Sequence, residues 1–216
     1  MTTEVLDAVE EFDVVVVGAG ISGIGAASYF SRELPDKSLL VLEGRDNIGG
    51  TWDLFRYPGI RSDSDLHTFG YEFKPWRHEA AIADAPLIRD YLRETVEENR
   101  LEPLIRLRHR VVRAEWSSDD ARWTLTVEAA DATGTGTVTK TVRAGWVFAA
   151  TGYYRYDEGF SPRFPGRDDF QARSSIRSTG PRRSTTAARR SSSSAAARPR
   201  SHSCRPWPPG PAPPGT

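Results

Sequence analysis

The chain has 216 residues and a formal charge of zero, with 29 Lys+Arg against 29 Asp+Glu. That zero is the sum of two unlike segments. After Gln171 there are nine arginines, no lysine and no acid, so the 20 remaining basic groups of residues 1–171 face all 29 acids. No apolar run reaches the roughly 20 residues of a membrane span. The start of the chain is acidic (Glu4, Asp7, Glu10, Glu11) where a signal peptide would be basic. The single cysteine, Cys204, excludes a disulfide framework and a Cys-based zinc site. An acidic, cysteine-free body reads as a cytoplasmic protein with no expectation of nucleic-acid binding.

Residues 172–216 hold ten Ser, nine Arg, eight Pro and seven Ala, and their only large apolar side chains are Ile176 and Trp207. Such a segment buries too little apolar surface to offset its ordering entropy, so a disordered tail is expected there. The folding unit is expected to be residues 1–171, enough for one domain with a core.

Within it, 12–17 is a short β-branched run that predicts a buried parallel strand. The loop Gly18-Ala19-Gly20-Ile21-Ser22-Gly23 comes next, then a helix of small and apolar residues over 24–32, broken at Pro35 and Asp36. A second strand over 38–42 closes at Glu43. This is a β-α-β unit, which predicts a parallel pair. Residues 44–80 lose periodicity and are rich in Gly, Arg, Asp and aromatics. A loop of that length in a small domain is usually functional. Asp84 is placed to cap a helix with Pro86 in its first turn, running to about Asn99, with Leu87, Ile88, Tyr91, Leu92 and Val96 as its apolar stripe. Residues 104–143 read as an antiparallel β-meander inserted in the crossover. Val112, Ala114 and Trp116 alternate, as do Trp123, Leu125 and Val127, and a third strand over 137–142 comes after a turn at 134–136. A separate short buried strand is expected over 146–150, ending at Thr151-Gly152-Tyr153 and returning to the parallel sheet. The fold class is therefore α/β, a Rossmann-like domain with an inserted meander.

Gly18, Gly20 and Gly23 form G-x-G-x-x-G between strand and helix, and Glu43 stands 20 residues past Gly23 at the end of the next strand. In this pattern the first glycine permits a tight turn, the second lets a pyrophosphate approach the backbone, and the third lets helix pack on strand. The helix N-terminus, including Ile21 and Ser22, offers N–H groups to the phosphates, and the acid can accept hydrogen bonds from both ribose hydroxyls. A glycine-rich turn with no ligand is the blander reading, which strand, helix, spacing and acid together disfavour. The fingerprint itself serves NAD and FAD equally.

The segment beyond Glu43 favours FAD. Up to Trp76 it carries Gly49-Gly50-Thr51-Trp52, the run RYPGIRSDSD and the aromatics after that run. The chain resembles the class B flavoprotein monooxygenases, the Baeyer–Villiger branch in particular. Ala150-Thr151-Gly152 is similar to that family's ATG motif, and residues 153–170 resemble the segment that precedes its NADPH domain. The resemblance covers about residues 10–171. It implies that Gly18, Gly20, Ile21, Ser22 and Gly23 cradle the FAD pyrophosphate and that Glu43 holds the adenosine ribose. It also implies that Gly50, Thr51 and Trp52 lie nearer the flavin ring, that Thr151 and Gly152 sit where the chain crosses the cofactor, and that Asp63 is an active-site aspartate beside the flavin. The implied activity uses NADPH and O2 to oxygenate a small ketone, giving an ester or lactone, or a sulfide or amine.

From the residues alone, Asp63 reads as a turn cap. Trp52, Tyr57 and Trp76 read as packing. His67, His78 and His109 have no metal-like spacing, and Glu97-Glu98 reads as a solvated helix face. The arginine-rich tail could also be an anionic-partner tether on a non-catalytic dinucleotide-binding module. A disulfide-reductase type of two-domain oxidoreductase lacks its cysteine pair here.

The family's NADPH domain is expected soon after Phe170 and is not found in frame. At the acid density of residues 1–171, a stretch of 45 would hold about eight acids, and residues 172–216 hold none. Codons chosen for Ser191 onward, read one base earlier, spell VVVIGSGATAV, a strand and a second fingerprint. The same shift around 175–181 allows VHPQHWP. A single-base deletion near Gln171 is therefore expected. A chain so truncated is expected to bind FAD weakly or not at all, to lack NADPH turnover and to aggregate through uncovered apolar faces.

Overall fold

Four consecutive valines at 14–17 carry β1 (Glu10–Val17) through the middle of a six-stranded mixed sheet of order β3-β2-β1-β6-β5-β4. The computed structural model describes residues 9–131, 136–154, 156, 162, 164–167 and 169. All belong to the first of two units of the chain, Met1–Arg183. The expected tail at 172–216 lies outside the described residues, as does Gly134 of the expected turn.

On one side β1 pairs in parallel with β2 (Leu39–Leu42), which pairs with the two-residue β3 (Ile105–Arg106). On the other side β1 pairs in parallel with β6 (Thr137–Ala149), from Glu10 opposite Val142 to Val17 opposite Ala149. The N-terminal half of β6 also pairs antiparallel with β5 (Arg122–Ala130), and β5 with β4 (His109–Ser117). The meander is thus part of the main sheet, and its third strand is the strand that returns to β1. Two strands were expected at 137–142 and 146–150, but they are one strand of 13 residues. Gly145 reads as a break in the sequence. In the fold it is a place of close approach, because a Cβ there would lie 3.0 Å from the Asp13 carbonyl oxygen. The missing side chain lets β6 run past an irregularity in β1, where the N–H groups of Asp13 and Val14 both donate to Ser38 O.

The helices lie on one face. α1 (Ile21–Glu33) begins directly after Gly20, three residues before the expected start, so Gly23 is inside its first turn. α4 (Ala85–Glu98) is capped by Asp84, whose Oδ1 accepts from Leu87 N at 3.2 Å. It buries Ile88, Tyr91, Leu92, Thr95 and Val96, the spacing of a one-sided helix. Its apolar residues Ile88, Tyr91, Leu92 and Val96 pack with Val14, Val16, Leu39 and Val41. Between β2 and α4 lie two single-turn helices, α2 (Thr51–Leu54) and α3 (Leu66–Phe69), in an otherwise irregular segment.

The opposite face is covered by the sheet itself. Val15, Leu40 and Leu42 cluster with Leu125, Val127, Val142 and Ala144. Three strands separate β2 from β4, yet His109 N donates to Glu43 O at 2.8 Å and Arg108 N to Arg45 O at 3.0 Å. The sheet therefore curls until its last strand touches the end of its second. The expected alternation in β5 is present. In β4 a bulge between Val111 and Arg113 sets Val111, rather than Val112, opposite Val127, and Val112 is exposed.

Trp146 was expected inside a buried strand and is 75 % exposed. It borders an open apolar groove of about 940 Å³ whose walls include Leu34, Trp116 and Trp123. No helix among the described residues is long and apolar enough to cross a membrane.

Two measurements check this packing. Leu125→Ala, at a fully buried position, is expected to cost about 2–5 kcal/mol in urea unfolding, and Trp146→Ser less than about 0.5 kcal/mol. Arg106 donates to both oxygens of Glu10, at 2.8 and 2.7 Å, and holds its carboxyl below the ordinary range. A lowered folded-state pKa contributes stability above the unfolded value of about 4.3, and that contribution is lost as pH falls through the folded value. Glu10→Gln is expected to flatten that part of the acid limb in a pH-dependent melting series.

Candidate functional site

The site forms where three backbone segments meet at the C-terminal end of β1. Gly18 has φ +105°, and a Cβ there would lie 2.5 Å from Ala150 O, so the residue after β6 rests directly on the first glycine. A Cβ on Gly23 would lie 1.8 Å from Gly18 O, which fixes the start of α1 against the turn. Gly20 faces Gly50, whose Cα is 3.6 Å from a Cβ built on Gly20, and Gly49 N donates to Ala19 O at 2.9 Å. The structure thus brings together 18–23, 49–52 and 150–152, three segments that the family resemblance assigns to one cofactor.

No side chain caps α1, and its first turn contains no acid. The N–H groups of that turn, including those of Ile21 and Ser22, have no intrahelical acceptor and sit at the positive end of the helix dipole. Glu43 is buried, with Oε2 accepting from Ala19 N at 2.8 Å and Oε1 from Arg45 N at 2.9 Å. Each oxygen keeps one lone-pair direction for a further donor.

Gly50 (φ +51°) is the N-cap of α2, which places Thr51 and Trp52 at the head of that single turn. Trp52 is half-buried against the helix-side core. Gly152 has φ +71°, and the Tyr156 hydroxyl lies 3.2 Å from a Cβ built there. Asp63 is exposed and accepts from Ser64 Oγ at 3.4 Å. The capping role expected of it belongs to Asp65, whose Oδ1 accepts from His67 N at 2.8 Å. Asp63 faces Tyr154. The Tyr154 phenol is held above its ordinary pKa first by the Tyr153 hydroxyl, then by desolvation, with the charge of Asp63 adding to both.

Trp76 is core, with Nε1 donating to Ala80 O and its ring against Tyr91. His67, His78 and His109 make backbone hydrogen bonds, and no metal-sized cluster of ligands occurs among the described residues.

Two features escaped the sequence. Asp53 is buried between Arg45 and Arg56, each 2.8 Å away, with Arg89 at 3.9 Å. Those arginines share no spacing that would mark them. Tyr71 lies under α1, its ring 2.7 Å from a Cβ built on Gly25 and its hydroxyl donating to Ile21 O. Burial pushes that phenol's pKa up, so it stays a donor. Gly25, a glycine inside a helix, was the available signal.

A family model described as an NAD(P)-binding Rossmann-like domain matches residues 16–81. The FAD-containing monooxygenase EthA of Mycolicibacterium smegmatis is 52 % identical over 161 residues, 74 % of this chain and 32 % of its own length. A probable FAD-binding monooxygenase, AlmA, of Acinetobacter baylyi is 44 % identical over 162 residues, again 32 % of its length. Over about three quarters of its length this chain is similar to proteins named FAD-containing monooxygenases. It spans about a third of the length of the curated relatives it matches. Among solved structures, a steroid monooxygenase bound to NADP aligns with TM-score 0.59 and 29 % identity, over 73 % of this chain and 29 % of that one. An open form of cyclohexanone monooxygenase aligns with TM-score 0.60 and 27 % identity, over 74 % and 30 %.

Gly23→Ala is expected to destabilise the chain by about 1–3 kcal/mol in urea unfolding, because the added methyl meets a backbone carbonyl that cannot yield without opening the turn.

Proposed function

We propose that the described fold holds FAD and is the cofactor end of a flavin-dependent, NADPH-using monooxygenase of Baeyer–Villiger type. The observation that carries this is the facing pair Gly20 and Gly50 above an uncapped helix N-terminus, with Glu43 buried at the tip of β2. A dinucleotide suits that donor set. A pyrophosphate needs side-chain-free backbone and free N–H groups, and a ribose needs a carboxylate with acceptor capacity left. The chemistry that FAD supplies when bound is the transfer of one atom of O2 to a small molecule, with NADPH as reductant and water as the second product.

Residues 18–23 cradle the pyrophosphate, with the N–H groups at the head of α1 free to donate to it, since those of Gly18 and Ala19 are held by Leu42 O and Glu43. Glu43 accepts from ribose hydroxyls. Gly50, Thr51 and Trp52 line the way toward the ring, Thr151 and Gly152 border the crossing, and Asp63 is an exposed carboxylate available at the ring end. The names of the solved neighbours favour a ketone substrate, and a sulfide or amine fits the same oxygen transfer. A cytoplasmic setting goes with this reading.

We assign turnover to a longer chain that also carries the NADPH site. In the 216 residues the one dinucleotide fingerprint is at 18–23. The acid-free composition of 172–216 supports a shifted reading frame there, and resequencing the locus tests it: confirmed DNA encoding the Ser/Arg/Pro stretch in frame would overturn that part.

Titrating the chain with FAD and following flavin fluorescence and the visible spectrum tests the cofactor. Saturable binding, weak in the 216-residue chain, is expected. It should be lost in Gly20→Val, which fills the gap facing Gly50. No NADPH oxidation is expected. Binding of a nicotinamide dinucleotide with none of FAD would reject the proposal.

A further inference from the structure

Asp53 is a buried carboxylate held by arginines from three segments, and it belongs neither to the phosphate loop nor to the proposed FAD contacts. It is 2 % exposed. Arg45 Nη2 and Arg56 Nη2 reach its two oxygens at 2.8 Å each, and Arg89, from α4, stands 3.9 Å away. Arg56 also donates through Nε to the backbone carbonyl of Asp53 at 3.0 Å. Arg45 is forked. One nitrogen is on Asp53 and the other donates to Gly50 O at 3.0 Å.

That carbonyl also accepts from Asp53 N at 3.1 Å and Leu54 N at 2.9 Å, so the arginine ties the head of α2 to the carboxylate from outside the turn's own backbone bonds. Gly49 (φ +111°) and Gly50 (φ +51°) are consecutive left-handed glycines, which have the largest conformational freedom to lose. Yet a Cβ on Gly50 would come within 3.0 Å of Gly20 Cα, so the turn must stay where it is for the two backbones to face each other. Arg45 N is at the same time bonded to Glu43, whose other oxygen holds Ala19. A continuous chain of charge-assisted hydrogen bonds therefore runs from the glycine loop through Glu43 and Arg45 to Asp53 and back to Gly50.

We propose that Asp53 is a positioning residue. By anchoring Arg45 it locks the 49–52 turn against the 18–23 loop and sets the width of the cleft between Gly20 and Gly50. The consequence for affinity rests on the FAD reading, while the locking of the turn does not. Arg56, two residues beyond α2, completes the clamp from the other side, while Arg89 of α4 stands too far for a hydrogen bond.

The experiment is residue-resolved amide exchange on the full 216-residue chain, with an FAD titration alongside. In Asp53→Asn the carboxylate charge is lost at constant volume, leaving Arg45 and Arg56 without their counter-ion. Exchange at Gly49, whose N–H is bonded to Ala19 O, and at Trp52, bonded to Gly49 O, is expected to accelerate about tenfold or more, with Val15 and Ile24 unchanged. Arg45→Lys is expected to act in the same direction, because an ammonium cannot reproduce the planar fork between Gly50 O and Asp53. The FAD dissociation constant should rise about tenfold in both, measured well below their melting temperatures. Arg89→Met, which loses only the 3.9 Å partner, should leave Gly49 exchange within about twofold. If Asp53→Asn opens globally, Arg45→Lys decides. Gly49 exchange unchanged in Arg45→Lys and in any folded Asp53→Asn overturns the proposal. Faster exchange in a chain whose wild type quenches no flavin supports the locking and rejects the cofactor reading instead.

Discussion

At Gly18 and Gly23 the chain passes so close to itself that one further carbon atom at either place would collide with backbone, with Ala150 O in the first case and Gly18 O in the second. A backbone carbonyl cannot rotate away as a side chain can. These contacts therefore dictate where α1 starts, and β6 must end where Ala150 can lie on the turn. The first N–H groups of α1 are left without intrahelical acceptors at the C-terminal end of β1. The rest of the site is arranged around that constraint. The 49–52 turn docks on it through Gly49 N and Ala19 O, and Glu43 reaches in from β2 to hold Ala19.

The sheet that supports the site is divided in its covering. Helices close one face, as hydrophobic spacing in α4 requires. The other face is closed by the sheet's own curl, which brings β4 back to the end of β2. β6 makes this possible because it serves two neighbours of opposite direction, and Gly145 is the point at which it passes close to β1.

Much of this was legible in the residues. The β-α-β unit, the capping Asp84, the stripe of α4 and the alternation of β5 are all matters of local pattern, and local pattern is what sequence records. What was not legible depends on contacts between distant segments. Continuity of β6 through Gly145 needs the neighbouring Asp13 carbonyl to explain the glycine. The exposure of Trp146 depends on what covers a face, which an apolar run cannot state. The phase slip in β4 comes from a single bulge after Val111. In the site, the glycines and Glu43 stood out by spacing. Asp53 did not, because Arg45, Arg56 and Arg89 come from three unrelated places. Asp65 and Asp63 are two residues apart and both suit a turn, and only the fold separates the cap from the exposed carboxylate.

Glu43 joins Ala19 to Arg45 through its two oxygens, and the rotamer of its side chain is thereby fixed while half of its acceptor capacity is still free. A flexible acid at that position would lose on the order of 1 kcal/mol of side-chain entropy at the moment of ligand capture. Here that loss is already taken during folding. Under the proposed function, a ribose at these strand ends would meet a carboxylate that need not reorganise, so discrimination there would fall to shape and hydroxyl pattern.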